Sequence, residues 1–150
     1  MKSIFEEQPL REIIKRIDNL SVNNQSKWGK MNVTQMLNHC QKPVKLAFGE
    51  ENVKKPNIFM RGVIKFMKPT LYNDKPWKQG LPTAKEFVIR NTEDFEVEKS
   101  KLKALVERMH KSESFFSPSK EHPIFGNMKS WMWGQSAYKH LDHHLKQFGV

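Results

Sequence analysis

In four separate stretches of the chain, apolar residues return at every third or fourth position, the repeat that places them on one face of an α-helix. Leu10, Ile13, Ile14, Ile17 and Leu20 follow Pro9, a residue suited to a first helical turn, and the pattern stops at the turn-forming SVNNQS of 21–26. A second run comprises Val33, Met36, Leu37, Cys40, Val44, Ala47 and Phe48. It starts after Asn32, with Gln35 spaced to complete a capping box and Gly49 placed to close the helix. Pro43 lies inside this run, so a kink or break is expected there. Phe95, Leu102, Leu105, Val106 and Met109 define a third helix, which Thr92 can cap with Glu93 and Asp94 in the first turn. The fourth runs from about 129 to 148, and no strand pattern of comparable strength is visible.

Residues 49–92 carry four of the eight prolines and separate the second helix from the third. Within them NIFMRGVIKFMK (57–68) is apolar enough for a short helix interrupted by Gly62, and 69–87 reads as a long connection. A connection of that length is usually functional or wraps the body as a crossover. Residues 112–126 read as a loop. The expectation is one all-α domain over 1–150, a four-helix bundle with a long crossover between helices two and three.

The chain is long enough to bury a core without staples, and its single cysteine, Cys40, excludes an intrachain disulfide and fits a reducing compartment. No apolar run approaches the ~20 residues that span a bilayer. MKSIFEEQPL lacks the apolar centre of a secretory signal, so a cytoplasmic protein with no membrane partner is expected. A formal charge of +10 favours anionic partners. The basic residues are nevertheless spread one or two at a time, with no RNA-binding, zinc-finger or homeodomain signature. Solubilising surface charge is the better reading, and a nucleic-acid partner is not expected.

Three of the six histidines fall in YKHLDHHLKQFGV (138–150). At about 100° per residue, His144 lies within the apolar stripe of Trp133, Ala137, Leu141 and Phe148, and His140 lies at its edge one turn earlier. His143 falls on the side of Lys139 and Lys146 and faces out. An inward i, i+4 pair of imidazoles can reach one ion at ~2.0–2.1 Å, but a third ligand must come from another helix. His39 sits at the margin of the second helix's apolar face, His110 ends the third helix, and His122 precedes a proline in a loop. An isolated HxxxH pair is more often a hydrogen-bonded core pair than a metal site. Cys40 reads as a small buried hydrophobe, and adjacent His39 and Cys40 point about 100° apart, a poor geometry for a nucleophile and its base. A ferritin-like di-iron site is excluded, since Glu-x-x-His occurs at Glu107–His110 alone.

WGKMNVTQMLNHC (28–40), GLPTAKEFVI (80–89) and HPIFGNMKSWMWGQSAYKHLDHHLKQFG (122–149) together resemble the DinB/YfiT-like metalloenzyme superfamily over nearly the full chain. The resemblance implies an up-and-down four-helix bundle, often a homodimer. It also implies a metal triad of one histidine from the second helix and the HxxxH pair of the fourth: His39, His140 and His144. A divalent ion, Zn, Ni or Mn, is the implied cofactor, and a small-molecule or thiol substrate the implied partner. The chain departs from many relatives before the fourth helix, where Lys129-Ser130 stands in place of a serine or threonine cap. Three neutral imidazoles leave a coordination position open, as in catalytic rather than structural sites. The resulting expectation is a metal-dependent hydrolase or thiol-group transferase, with Phe59, Tyr72 and Trp77 of the crossover covering the pocket. The alternatives are a non-catalytic binding or stress-related bundle with structural histidines and, behind it, a basic nucleic-acid-binding bundle.

Overall fold

The computed structural model describes residues 1–150, the side chain of Ile58 excepted. Among the described residues there are five α-helices: α1 (Glu7–Asp18), α2 (Val33–Phe48), α3 (Ile58–Met67), α4 (Phe95–Lys111) and α5 (Ser130–Gln147). A hairpin of β1 (Ser119–His122) and β2 (Gly126–Lys129) precedes α5, and 3₁₀ turns occupy Lys68–Leu71, Lys85–Phe87 and Glu113–Phe116. No helix among the described residues is long and apolar enough to cross a membrane.

The expectation of an all-α four-helix bundle is overturned on two counts: the hairpin and the additional helix α3. The segment read as a loop pairs antiparallel, from Ser119 with Lys129 to His122 with Gly126. Gly126 supplies the left-handed φ of 66° that the turn requires. The His122 ring accepts hydrogen bonds at Nδ1 from the backbone N–H of Ile124 (3.0 Å) and Phe125 (3.3 Å), locking the same turn from the side chain. Strands of four residues are too short to show an alternation in sequence. Gly62 does not interrupt α3, since a lone helical glycine costs only about 1 kcal/mol.

Helix α2 packs on α4 and α5, and α1 packs on the same two. Their shared core includes Ile13, Ile17, Met36, Leu37, Leu102 and Leu141, all under 3% exposed. The capping box of α2 forms as spaced: Asn32 Oδ1 accepts from the Gln35 N–H at 2.8 Å and Gln35 Oε1 from the Asn32 N–H at 3.0 Å. Asp94 caps α4 in place of Thr92. Pro43 stays within an unbroken α2 but removes the amide that would have bonded the His39 carbonyl four residues earlier.

Two polar devices set the register of α2 and α5. Buried Glu98 on α4 accepts from Asn38 Nδ2 (2.8 Å) and Gln41 Nε2 (2.6 Å) on α2 and from the Glu93 N–H (3.1 Å). Burial pushes this carboxyl up, yet those donors outweigh it and hold it below the usual range. The 21–32 loop wraps the end of α5 through Asn24 Nδ2 to the Phe148 carbonyl (3.2 Å) and the Lys27 N–H to the Gln147 carbonyl (2.8 Å). That wrapping carries Trp28 to the histidine-rich end of α5.

Candidate metal centre

His39 comes from the middle of α2, and His140 and His144 come from successive turns of α5. The packing of α2 on α5 turns the three rings toward one another, with centroids 5.3 Å apart for His39–His140, 4.8 Å for His39–His144 and 4.7 Å for His140–His144. One ring nitrogen from each lies within 4.8 Å of the others, and His39 Nε2 is 3.3 Å from His140 Nε2. Two ligands of a tetrahedral ion at ~2.1 Å stand about 3.4 Å apart, so this edge of the triangle already has metal-site dimensions.

The outer ring nitrogens fix the tautomers. His39 Nδ1 donates to the Phe87 carbonyl at 3.0 Å, which can only accept, so its Nε2 carries the lone pair. Gln147 Nε2 donates to the Trp28 carbonyl at 2.6 Å, which turns Gln147 Oε1 toward His144 Nδ1 at 2.8 Å. His144 therefore also holds its Nε2 lone pair free. His140 has a single N–H and could satisfy one of these lone pairs; one cation satisfies all three rings together.

Electrostatics keep the rings neutral. Burial lowers the pKa of His39 against the opposing effect of its Phe87 bond, and lowers His144 to about 3 with help from His39. His140 falls well below the ordinary value through burial and then through its histidine neighbours. Neutral imidazoles are the ligating form. Cys40, next along α2, is 1% exposed with its thiol pushed well up by burial, so it offers no thiolate.

Of the other histidines, His143 and His122 depart from their expected places, while His110 ends α4 as expected. His143 is half-buried rather than outward, its ring 5.7 Å from both Trp28 and Trp77 and 5.1 Å from His144. His122 packs on Trp133 and has its pKa lowered to about 4, chiefly by burial. His110 lies away from the triad, its Nδ1 2.9 Å from the Ile4 carbonyl. Of the three crossover aromatics, Trp77 reaches the site, 5.9 Å from His140. Tyr72 packs instead on Trp131, and Phe59 is 78% exposed.

Sequence reasoning passed over Gln147, Lys139 and the Phe87 carbonyl. Gln147 could have been found, since it stands i+3 from His144 on the same helix. Lys139, expected on the outer face, is 7% exposed, and its Nζ donates to the Thr70 (2.6 Å) and Asn73 (2.9 Å) carbonyls. Trp77 Nε1 donates to the same Thr70 carbonyl at 2.8 Å, so Lys139 anchors the turn that holds the indole over His140.

All three imidazoles line a cavity of about 610 Å³ bounded by α2, α5, the hairpin and the crossover. Its walls are mainly apolar, with Trp28, Trp77, Phe87 and Trp133 among them. Lys30 is the charged non-histidine side chain among the described lining residues, which include no carboxylate.

A family model described as a protein of unknown function, DUF1569, matches residues 4–149, and the chain belongs to that family. This corrects the DinB/YfiT-like assignment. An HxxxH pair with one upstream histidine is a ligand spacing open to any helical metal site, so it does not separate one family from another. No curated protein and no solved structure matches the chain.

Proposed function

We propose that this member of the DUF1569 family binds one divalent metal ion through His39, His140 and His144 and uses it on a ligand held in the adjoining cavity. The observation that carries this reading is the pair of oriented, neutral imidazoles, His39 and His144, whose free nitrogens meet His140 in a cavity wall. An all-imidazole donor set suits Zn or Ni better than Mn, which prefers oxygen ligands. Such an ion supplies Lewis-acid chemistry, polarising a bound group or lowering the pKa of a water or thiol. Hydrolysis and thiol-group transfer are the two reaction classes that chemistry serves.

The protein's own groups divide the remaining work. With no carboxylate in the described lining, His143 is the base nearest the triad, and burial keeps it neutral and able to accept a proton. Trp28 and Trp77 flank His143, each with its ring centroid 5.7 Å from the imidazole. The apolar walls select a substrate with a hydrophobic body and a neutral or anionic head group, since no acidic side chain among the described lining residues would pair with a cationic one.

Elemental analysis of protein purified without a histidine tag tests the metal. About one equivalent of Zn or Ni is expected, lost in a folded His140→Ala/His144→Ala double variant. No stoichiometric metal after reconstitution would leave the histidines structural and overturn the reading. His143→Asn should retain the ion while losing turnover of whichever ester, amide or thiol substrate a screen of the loaded protein finds.

A further inference from the structure

Helix α3 stands outside the packed core with its apolar face uncovered. Phe59 is 78% exposed and Phe66 85%, and Met60, Val63 and Met67 are each more than 40% exposed. At about 100° per residue, Phe59, Val63, Phe66 and Met67 share one side of the helix, with Arg61, Lys65 and Lys68 opposite. Its main packing in the fold is with the Lys68–Leu71 turn that follows it, Met67 at its C-terminal end lines the cavity, and Lys68 Nζ reaches the Asn127 carbonyl. Two phenylalanines held in water on a ten-residue helix are a standing cost unless something covers them.

The surrounding charge indicates what covers them. Residues 52–73 contain Lys54, Lys55, Arg61, Lys65 and Lys68 and no aspartate or glutamate. Lys54, Lys55, Arg61 and Lys65 are exposed, and among the described residues none of the four side chains forms an ion pair. The flanking acids are engaged elsewhere: Glu51 pairs with Lys42 at 2.7 Å, Asp74 with the N-terminal ammonium at 3.4 Å, and the Glu86 carboxylate accepts from the Lys54 backbone N–H at 3.2 Å. A symmetric contact with a second copy would bring these cations together on a chain already carrying +10. Aromatic and aliphatic side chains on one face with lysine and arginine on the other suit a helix lying in the plane of an anionic bilayer.

We propose that α3 is a docking element for anionic membrane surfaces, inserting Phe59 and Phe66 among the acyl chains while Lys54, Lys55, Arg61 and Lys65 meet the lipid headgroups. This departs from the expectation of no membrane partner, which rested on the absence of a spanning segment and of a secretory signal and did not weigh an interfacial helix. The following turn contributes Thr70 and Leu71 to the cavity wall, so the docked helix would lie at the rim of the candidate site.

Co-sedimentation of the full chain with vesicles tests the proposal, and chelator in every sample makes the result independent of the metal reading. Binding is expected to vesicles of about seven parts phosphatidylcholine to three of phosphatidylglycerol, and to weaken at high salt. Pure phosphatidylcholine should retain at least about tenfold less protein. Phe59→Ser/Phe66→Ser and, separately, Arg61→Gln/Lys65→Gln should each weaken binding about tenfold or more with unchanged thermal melting. Equal binding to neutral vesicles, no binding at low salt, or full binding by either variant would overturn the proposal. So would a wild-type dimer that the phenylalanine variant dissociates without any vesicle binding, which would assign the patch to a second copy.

Discussion

Gln147 touches no ion in the proposed site, yet its loss should weaken metal binding. Its Oε1 orients His144 by accepting from Nδ1 at 2.8 Å, and its Nε2 is held by the Trp28 carbonyl at 2.6 Å. In Gln147→Leu the His144 ring keeps its place in the helix but loses the acceptor that fixes its tautomer and rotation. Removing such an outer partner typically costs roughly 10–100-fold in metal affinity, or about 1.4–2.7 kcal/mol. Gln147→Glu keeps an acceptor for His144 but cannot donate to Trp28. It should hold affinity near wild type while losing about 1–3 kcal/mol of folding stability through the undonated carbonyl. Gly29→Ala approaches the same bond from the other side. A Cβ there would lie 2.6 Å from Gln147 Nε2, at a backbone φ of 82° that already disfavours alanine. Competition for Zn against a chromophoric chelator, with parallel urea unfolding of the metal-free proteins, separates the two effects. A folded Gln147→Leu protein binding Zn within about twofold of wild type would refute the oriented-imidazole argument.

Acid should destabilise the metal-free protein over a defined window. His122 has its folded pKa lowered from 6.5 to about 4. The unfolded chain therefore binds a proton that the folded one refuses, and stability falls as pH drops from about 6.5 to about 4, then levels for this group. The shift corresponds to about 3 kcal/mol, and the Glu98 carboxylate adds a further loss below its ordinary value of 4.5. Urea titrations at several pH values would show it, and a flat profile across the window would contradict it. Gly134→Ala should cost about 1–3 kcal/mol by overpacking, because a Cβ there meets Ser3 Oγ at 2.2 Å and Phe5 Cδ2 at 2.5 Å. Unfolding within about half a kcal/mol of wild type would show that the N-terminal segment yields freely.

The long helices were legible because each carries its own signal. The capping box at Asn32 and Gln35 and the apolar repeats of α1, α2, α4 and α5 are local, and local propensity agrees with burial along all four. The hairpin was not legible for the same reason in reverse. Its strands are four residues long, and its turn depends on the His122 side chain and the φ of Gly126, neither of which leaves a periodic trace. Helix α3 was legible as a helix, but its apolar face implied burial, and whether a face is covered depends on the rest of the fold.

Legibility within the candidate site follows the distance over which each relation acts. His140 and His144 share a face by helical spacing alone, so sequence could pair them. His39 stands 101 residues from His140, and the wheel left it at a margin; the packing of α2 on α5 is what buries it to 4% exposure and brings its Nε2 within 3.3 Å of His140. The helical wheel erred on His143 and Lys139 because it assumes that the face opposite the core meets water. Here the 21–32 loop and the crossover cover that face with Trp28 and Trp77. The Phe87 carbonyl is the extreme case, a backbone atom whose role no residue identity could encode. It is nevertheless the group that orients His39. The crossover, from which sequence expected Trp77 as a cover but not the Phe87 carbonyl as a partner, therefore holds one imidazole by its backbone and covers another with an indole, and so it builds the candidate site as directly as the helices that carry the histidines.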